Sequence, residues 1–239
     1  MRGRPRAVAS PSAASRPARV LAGENHGLVG FLSHDLGRVR REQRDWREAR
    51  RWFERAVAVR KATEEPAPLA ESLAQLGSVC RASNDLAAAA AAMEECVSLS
   101  ETLPREQCSP VALVSRRWQL TQYLLELGRG DAAEATQRDG LAVARRAAAS
   151  APARQPGVDA PQLASWTLAR TLRRLHKDGE AAEIFGACIE EKAAQLGRRH
   201  PALRPMLAEY REALAACPAM RADAARAERW LAELAAGKG

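Results

Sequence analysis

The chain has 239 residues, 46% of them hydrophobic but only 4% aromatic, and carries a formal charge of +8. That length suffices for one sizeable domain or two small ones, and alanine and leucine must then fill the core. Abundant Ala and Arg with few alternating apolar and polar runs exclude a mainly β protein and predict an all-α fold, while no apolar run approaches a membrane span.

Residues 1–24, MRGRPRAVASPSAASRPARVLAGE, contain Arg, Ser, Ala and Pro and almost no acid. Such a segment buries too little apolar surface to offset its ordering entropy, so disorder is expected. No secretory signal is legible in it. Arg2-Gly3-Arg4-Pro5 resembles an AT-hook core, a short arginine segment that lies in a narrow minor groove, though a match this short also arises by chance in an arginine-rich tail. The same composition resembles a mitochondrial transit peptide if the source is eukaryotic.

From residue 25 onward the sequence predicts about ten helices, separated by short breakers. These lie at Arg44-Asp45, Pro66 to Pro68, Asn84-Asp85, Pro104 to Pro110, Gly128 to Asp131, Pro152 to Pro161, Lys177 to Gly179, Gly197 to Pro201 and around Pro218. The segments between them have ordinary helix lengths of about 15–20 residues.

A register repeats along these helices. Counting from Leu36, Gly37 follows at one, Ala49 at thirteen, Phe53 at seventeen and Ala56 at twenty. Leu76 is followed at the same offsets by Gly77, Ala89, Met93 and Cys96, and Leu168 by Ala169, Ala181, Phe185 and Cys188. Leu120 begins a weaker copy with Thr121, Ala133, Gln137 and Gly140; from Tyr210 the pattern is mostly lost. A small residue after the leading leucine lets two antiparallel helices approach closely. The residues at thirteen and twenty lie two turns apart on one face of the second helix. Asp45 and Asp85 stand where they can cap that helix. Each hairpin then needs only a narrow apolar stripe, because its neighbours complete its core.

This register resembles the tetratricopeptide repeat. The periods of 40, 44, 48 and 42 residues exceed the usual repeat, and Leu196-Gly197-Arg198-Arg199-His200-Pro201 after Ile189-Glu190-Glu191-Lys192 is similar to the kinesin light chain-like group. The resemblance implies an α-solenoid over residues 25–239, a right-handed superhelix of four repeats plus a C-terminal capping hairpin. It also implies a concave groove lined by the first helix of each pair.

No nucleophile elbow, HExxH pair or phosphate loop is present, and the four histidines are scattered without ligand spacing. The expectation is therefore a non-catalytic protein with no cofactor and no metal. Five cysteines without a CxxC pair suggest neither a disulfide framework nor a zinc site, and fit a reducing compartment. Cys80, Cys96 and Cys188 fall on core offsets, where a thiol packs like alanine.

The remaining candidates are surface residues. Positions two before, two after and five after the leading residue share a face of the first helix. In this family that face would line the groove, which gives Arg38, Arg41, Arg81, Trp118, Gln122, Trp166, Arg170 and Arg173 as peptide-contacting residues. Arginine and tryptophan are common binding anchors and suit a protein or peptide with acidic and apolar side chains. The alternative is that the tryptophans fill space between long repeats and the arginines follow composition, since 33 of the 37 basic residues are arginine. The predicted function is a protein-interaction scaffold in the cytoplasm, or in the mitochondrial matrix if the tail is a transit peptide. A regulatory nucleic-acid-associated protein using the basic tail is the other reading. A clamp for chaperone C-termini is not recognisable.

Overall fold

Breakers and caps set where the helices begin. The computed structural model describes residues 26–149 and 159–236, which form ten α-helices and one 3-10 turn, with no strand among the described residues. The helices are α1 (His26–Glu42), α2 (Trp46–Ala62), α3 (Pro66–Ala82), α4 (Leu86–Thr102) and α5 (Pro110–Glu126). They continue as α6 (Gly130–Ala149), α7 (Ala160–Arg174), α8 (Asp178–Leu196), α9 (Leu203–Ala215) and α10 (Arg221–Ala236), with the 3-10 turn Pro218–Met220 before the last. The basic segment 1–24 and most of the Pro152 to Pro161 breaker lie outside the described residues. No described helix is long and apolar enough to cross a membrane.

The prolines begin helices here. Pro66 and Pro110 occupy the first helical position, where the missing N–H would have had no intrahelical acceptor. Asp45 accepts from the Glu48 N–H at 3.2 Å and Asp85 from the Ala88 N–H at 3.1 Å, so both predicted caps form. Ser109 does the same for α5, accepting from the Ala112 N–H at 3.2 Å.

Each of the first four hairpins turns on a left-handed residue eight positions after the leading leucine: Arg44 (φ 59°), Asn84 (φ 63°), Gly128 (φ 73°) and His176 (φ 58°). Only Gly128 adopts this conformation without a Cβ penalty. His176 is thus a turn residue.

Helices pack in sequence order, each on the next, and the pairs stack into one right-handed solenoid of the kind expected. The repeat offsets form the core. Ala49, Phe53, Ala56, Ala89, Met93, Cys96, Ala133, Ala181 and Phe185 are fully buried, and Cys188 nearly so. A Cβ on Gly37 would lie 2.8–3.0 Å from the Phe53 ring, which is why the residue after the leading leucine must be small.

The weaker third repeat replaces apolar contact with hydrogen bonds. Gln137 takes the large-residue offset and is buried; its Nε2 donates to Thr121 Oγ1 at 2.7 Å, and Thr167 Oγ1 donates to its Oε1 at 2.8 Å. In the last hairpin the offsets are still buried but exchanged in size, with Ala227 at seventeen and Trp230 at twenty. Trp230 ties the last hairpin to the preceding joint: its Nε1 donates to the Arg198 carbonyl at 2.9 Å, and the Arg198 guanidinium lies 4.1 Å over its ring. The Leu196–Pro201 joint and the final helix therefore lock onto one another.

Candidate functional site

The first helix of each pair presents its charged residues to the first helix of the next repeat. From α1, Arg41 donates to Gln75 on α3; from α3, Arg81 makes a forked contact with Glu126 on α5, at 2.7 and 3.1 Å. From α7, Arg174 donates back to Gln122 Oε1 on α5 at 2.6 Å. Also from α7, Arg170 grips Glu209 on α9 through two nitrogens, and Arg173 reaches Glu212 at 3.1 Å. The Arg81 guanidinium holds the Glu126 carboxyl below its usual range, and Glu209 pushes the Arg170 guanidinium further toward its charged form. A ladder of arginine contacts thus runs along the first helices. Arg38 stays on its own helix, 3.5 Å from Asp35.

Three of these helices share one depression. Trp118 and Gln122 from α5, Arg170, Arg173 and Arg174 from α7, and Glu209 and Glu212 from α9 line a space of about 420 Å³. Two of its lining side chains carry buried N–H groups without a hydrogen bond in the chain, Gln122 Nε2 and Arg173 Nε, the latter 4.0 Å from the Asp178 carboxylate in an ion pair too long to be a hydrogen bond. Buried donors without a partner are uncommon, and their desolvation favours any acceptor that reaches them.

Of the eight residues singled out from the sequence, the structure brings four together here: Trp118, Gln122, Arg170 and Arg173. Arg38, Arg41 and Arg81 stand on the first helices of repeats one and two. Trp166 is not among the residues lining the depression. It packs edge-on against Phe185, ring centroids 4.4 Å apart, between two core clusters. Trp166 is partly buried there, whereas His34, two before Leu36, is buried, hydrogen-bonded to Ser72 at 3.1 Å and edge-on to Phe53. Sequence reasoning passed over Arg174 and Glu209; Glu212 shares the offset of Gln122 and Arg170, two after the leading residue. The signal for Glu209 was present, because Gln75 and Glu209 stand at the same offset, one before the leading residue, where each meets an arginine from the preceding repeat.

The cysteines serve the core. Cys80, Cys96, Cys108 and Cys188 are buried free thiols, and burial pushes the Cys188 thiol up to about 11. Cys80 and Cys96 are raised for the same reason. Such thiols are poor nucleophiles. Among the described residues no three His, Cys, Asp or Glu side chains gather as a metal site.

Residues 31–102 match the model of the tetratricopeptide repeat family. No curated protein is matched by the sequence. Among solved structures, nearly identical TPR-like repeats assigned to a kinesin light chain of Podosopora anserina are 19% identical, with a TM-score of 0.67 over 90% of this chain and 100% of that one. BtubC (BKLC) from P. vanneervenii is 17% identical, with a TM-score of 0.64 over 95% of this chain and 90% of that one. The apo form of RapI is 11% identical, with a TM-score of 0.67 over 92% of this chain but only 57% of its own. At such identities the similarity is one of fold.

Proposed function

We propose that this tetratricopeptide-repeat solenoid is a non-catalytic scaffold that holds an extended peptide or a helix of a partner protein across its first helices. The observation that carries the reading is the depression shared by three consecutive first helices, with two unsatisfied N–H donors among its lining side chains. Trp118 supplies apolar cover, while Gln122 Nε2 and Arg173 Nε donate to carbonyl or carboxylate oxygens of the ligand. Arg170 and Arg173 can exchange Glu209 and Glu212 for ligand carboxylates, so the partner segment combines acidic with apolar side chains. Arg38, Arg41 and Arg81 extend the same surface toward the first repeat. Trp166, packed on Phe185, steadies the fourth repeat from behind. Five free thiols suit a reducing, cytoplasmic setting.

Panning a random peptide-display library against the immobilised full chain tests this. The enriched peptides should carry acidic and apolar residues. Trp118→Ala, and separately Arg170→Gln with Arg173→Gln, should each weaken the best peptide at least tenfold, about 1.4 kcal/mol, while helicity stays unchanged. Binding that survives in both variants, or enrichment no greater than on a Trp118→Ala control, would overturn the proposal.

A further inference from the structure

Among the described residues, the exposed large hydrophobic side chains are concentrated on one helix. Leu28, Phe31, Leu32, Leu36 and Val39 of α1 are each 40–55% exposed, and only Leu196 lies elsewhere. The five recur at helical spacing over three turns, so they form one stripe. At about 90 Å² apiece the stripe presents about 450 Å² of apolar surface, the size of a functional patch on a monomer.

The repeat register explains what this stripe is shaped to meet. Leu76 and Val79 of α3 occupy the offsets of Leu36 and Val39. They pack against Trp46, Ala49 and Phe53 of the preceding second helix. Leu120 and Leu168, at the same leading position, are 5% and 2% exposed. The face of α1 therefore carries the stacking residues of a repeat, and no described helix lies against it. The last described helix differs: Trp230 is buried, Leu231 and Leu234 are half-buried, and the exposed residues of α10 are Arg, Glu and Ala.

We propose that the α1 face binds the α1 face of a second copy of this chain, as an antiparallel pair about a two-fold axis. Four of the five residues are self-complementary: in that register Leu28 meets Val39 of the other copy and Phe31 meets Leu36, while Leu32, nearest the axis, faces Asp35. A head-to-tail contact with α10 is disfavoured by its polar outer face. The chain's own residues 1–25 offer few large apolar side chains to cover the stripe, only Met1, Val8, Val20 and Leu21. The apolar stripe supplies a little over half of the roughly 800 Å² per partner found in stable interfaces, so a polar rim has to supply the rest, and a self-complementary patch on both subunits is the rule for two-fold dimers.

Sedimentation equilibrium of the full chain should return twice the 25.9 kDa monomer mass at micromolar concentration. Leu32→Glu combined with Leu36→Glu should halve that mass with an unchanged circular dichroism spectrum, because both side chains are exposed. In a Cys217→Ser background, a mixture of Leu28→Cys and Val39→Cys chains should cross-link on oxidation more than either alone. A monomeric wild-type chain would overturn the proposal, as would a dimer that survives the double glutamate variant. A wild-type monomer that dimerises once residues 2–25 are deleted would also overturn it, by identifying that segment as the occupant.

Discussion

Gln137 is the residue whose burial is least obvious from its chemistry, and substitutions around it have a defined asymmetry. Thr121 Oγ1 donates to the Arg117 carbonyl at 2.9 Å and accepts from Gln137 Nε2. Thr167 Oγ1 has one proton to share between Gln137 Oε1 at 2.8 Å and the Ala164 carbonyl at 3.0 Å. Remove the amide as Gln137→Met, of similar volume, and both hydroxyls keep a backbone acceptor; no donor is orphaned. The cost should stay below about 1.5 kcal/mol. Remove a hydroxyl instead, as Thr121→Val or Thr167→Val, and one end of a buried amide loses its partner, which costs about 1–3 kcal/mol. Adding Gln137→Met to Thr121→Val should then recover stability, since the stranded group is gone. Urea unfolding followed by circular dichroism gives all four values. The reasoning is refuted if Gln137→Met costs more than Thr121→Val, or if the double variant is less stable than Thr121→Val alone.

Other positions give shorter tests. Phe53→Ala, at a fully buried side chain, should lower stability by about 3–5 kcal/mol in the same unfolding assay. Gly37→Ala should destabilise by about 1–2 kcal/mol through its collision with the Phe53 ring, and Phe53→Leu should make room for it. Burial, then the charge of Arg60, lowers the His34 imidazole, outweighing Glu71 and Asp35, whereas in the unfolded chain it titrates near 6.5. Just below 6.5 the unfolded chain binds more protons, so stability should fall as pH drops through that value, and His34→Gln should flatten this part of the profile. With Ellman's reagent Cys217, the half-buried thiol, should react first, and the four buried cysteines should follow only in denaturant.

The fold was legible because its signal is redundant. Leu-Gly, Ala, Phe and Ala at fixed offsets recur, so a few strong copies reveal the period even where others decay. Where the register looked poor, the structure found a different solution in the same place. Gln137 and Thr121 substitute hydrogen bonds for an aromatic against a small residue. Ala227 and Trp230 exchange the sizes expected at seventeen and twenty. An apolar pattern search cannot see either substitution, because one core is completed by polar pairing and the other by trading volume between two offsets. Glu64, left-handed at φ 55° between α2 and α3, gave no sequence signal at all.

The site was less legible, for a reason rooted in the repeat itself. Side chains at a fixed offset share a face of their helix, yet that face meets both solvent and the next repeat. Offset alone cannot say which contact a long side chain takes. Arg41, Arg81, Arg170 and Arg173 all extend to the adjoining first helix, where Gln75, Glu126, Glu209 and Glu212 stand. A charged column read as a ligand surface is thus also the adhesion between repeats. The two roles are compatible because these are partly exposed pairs, worth little to stability and readily exchanged. A ligand carboxylate would replace a tether of similar strength. The net gain in binding must then come from what the chain leaves unmet at the depression: the Gln122 and Arg173 N–H donors and the uncovered face of Trp118. That is why Trp118→Ala should weaken a selected peptide more than Arg170→Gln alone, and equal losses would place the binding energy in charge instead.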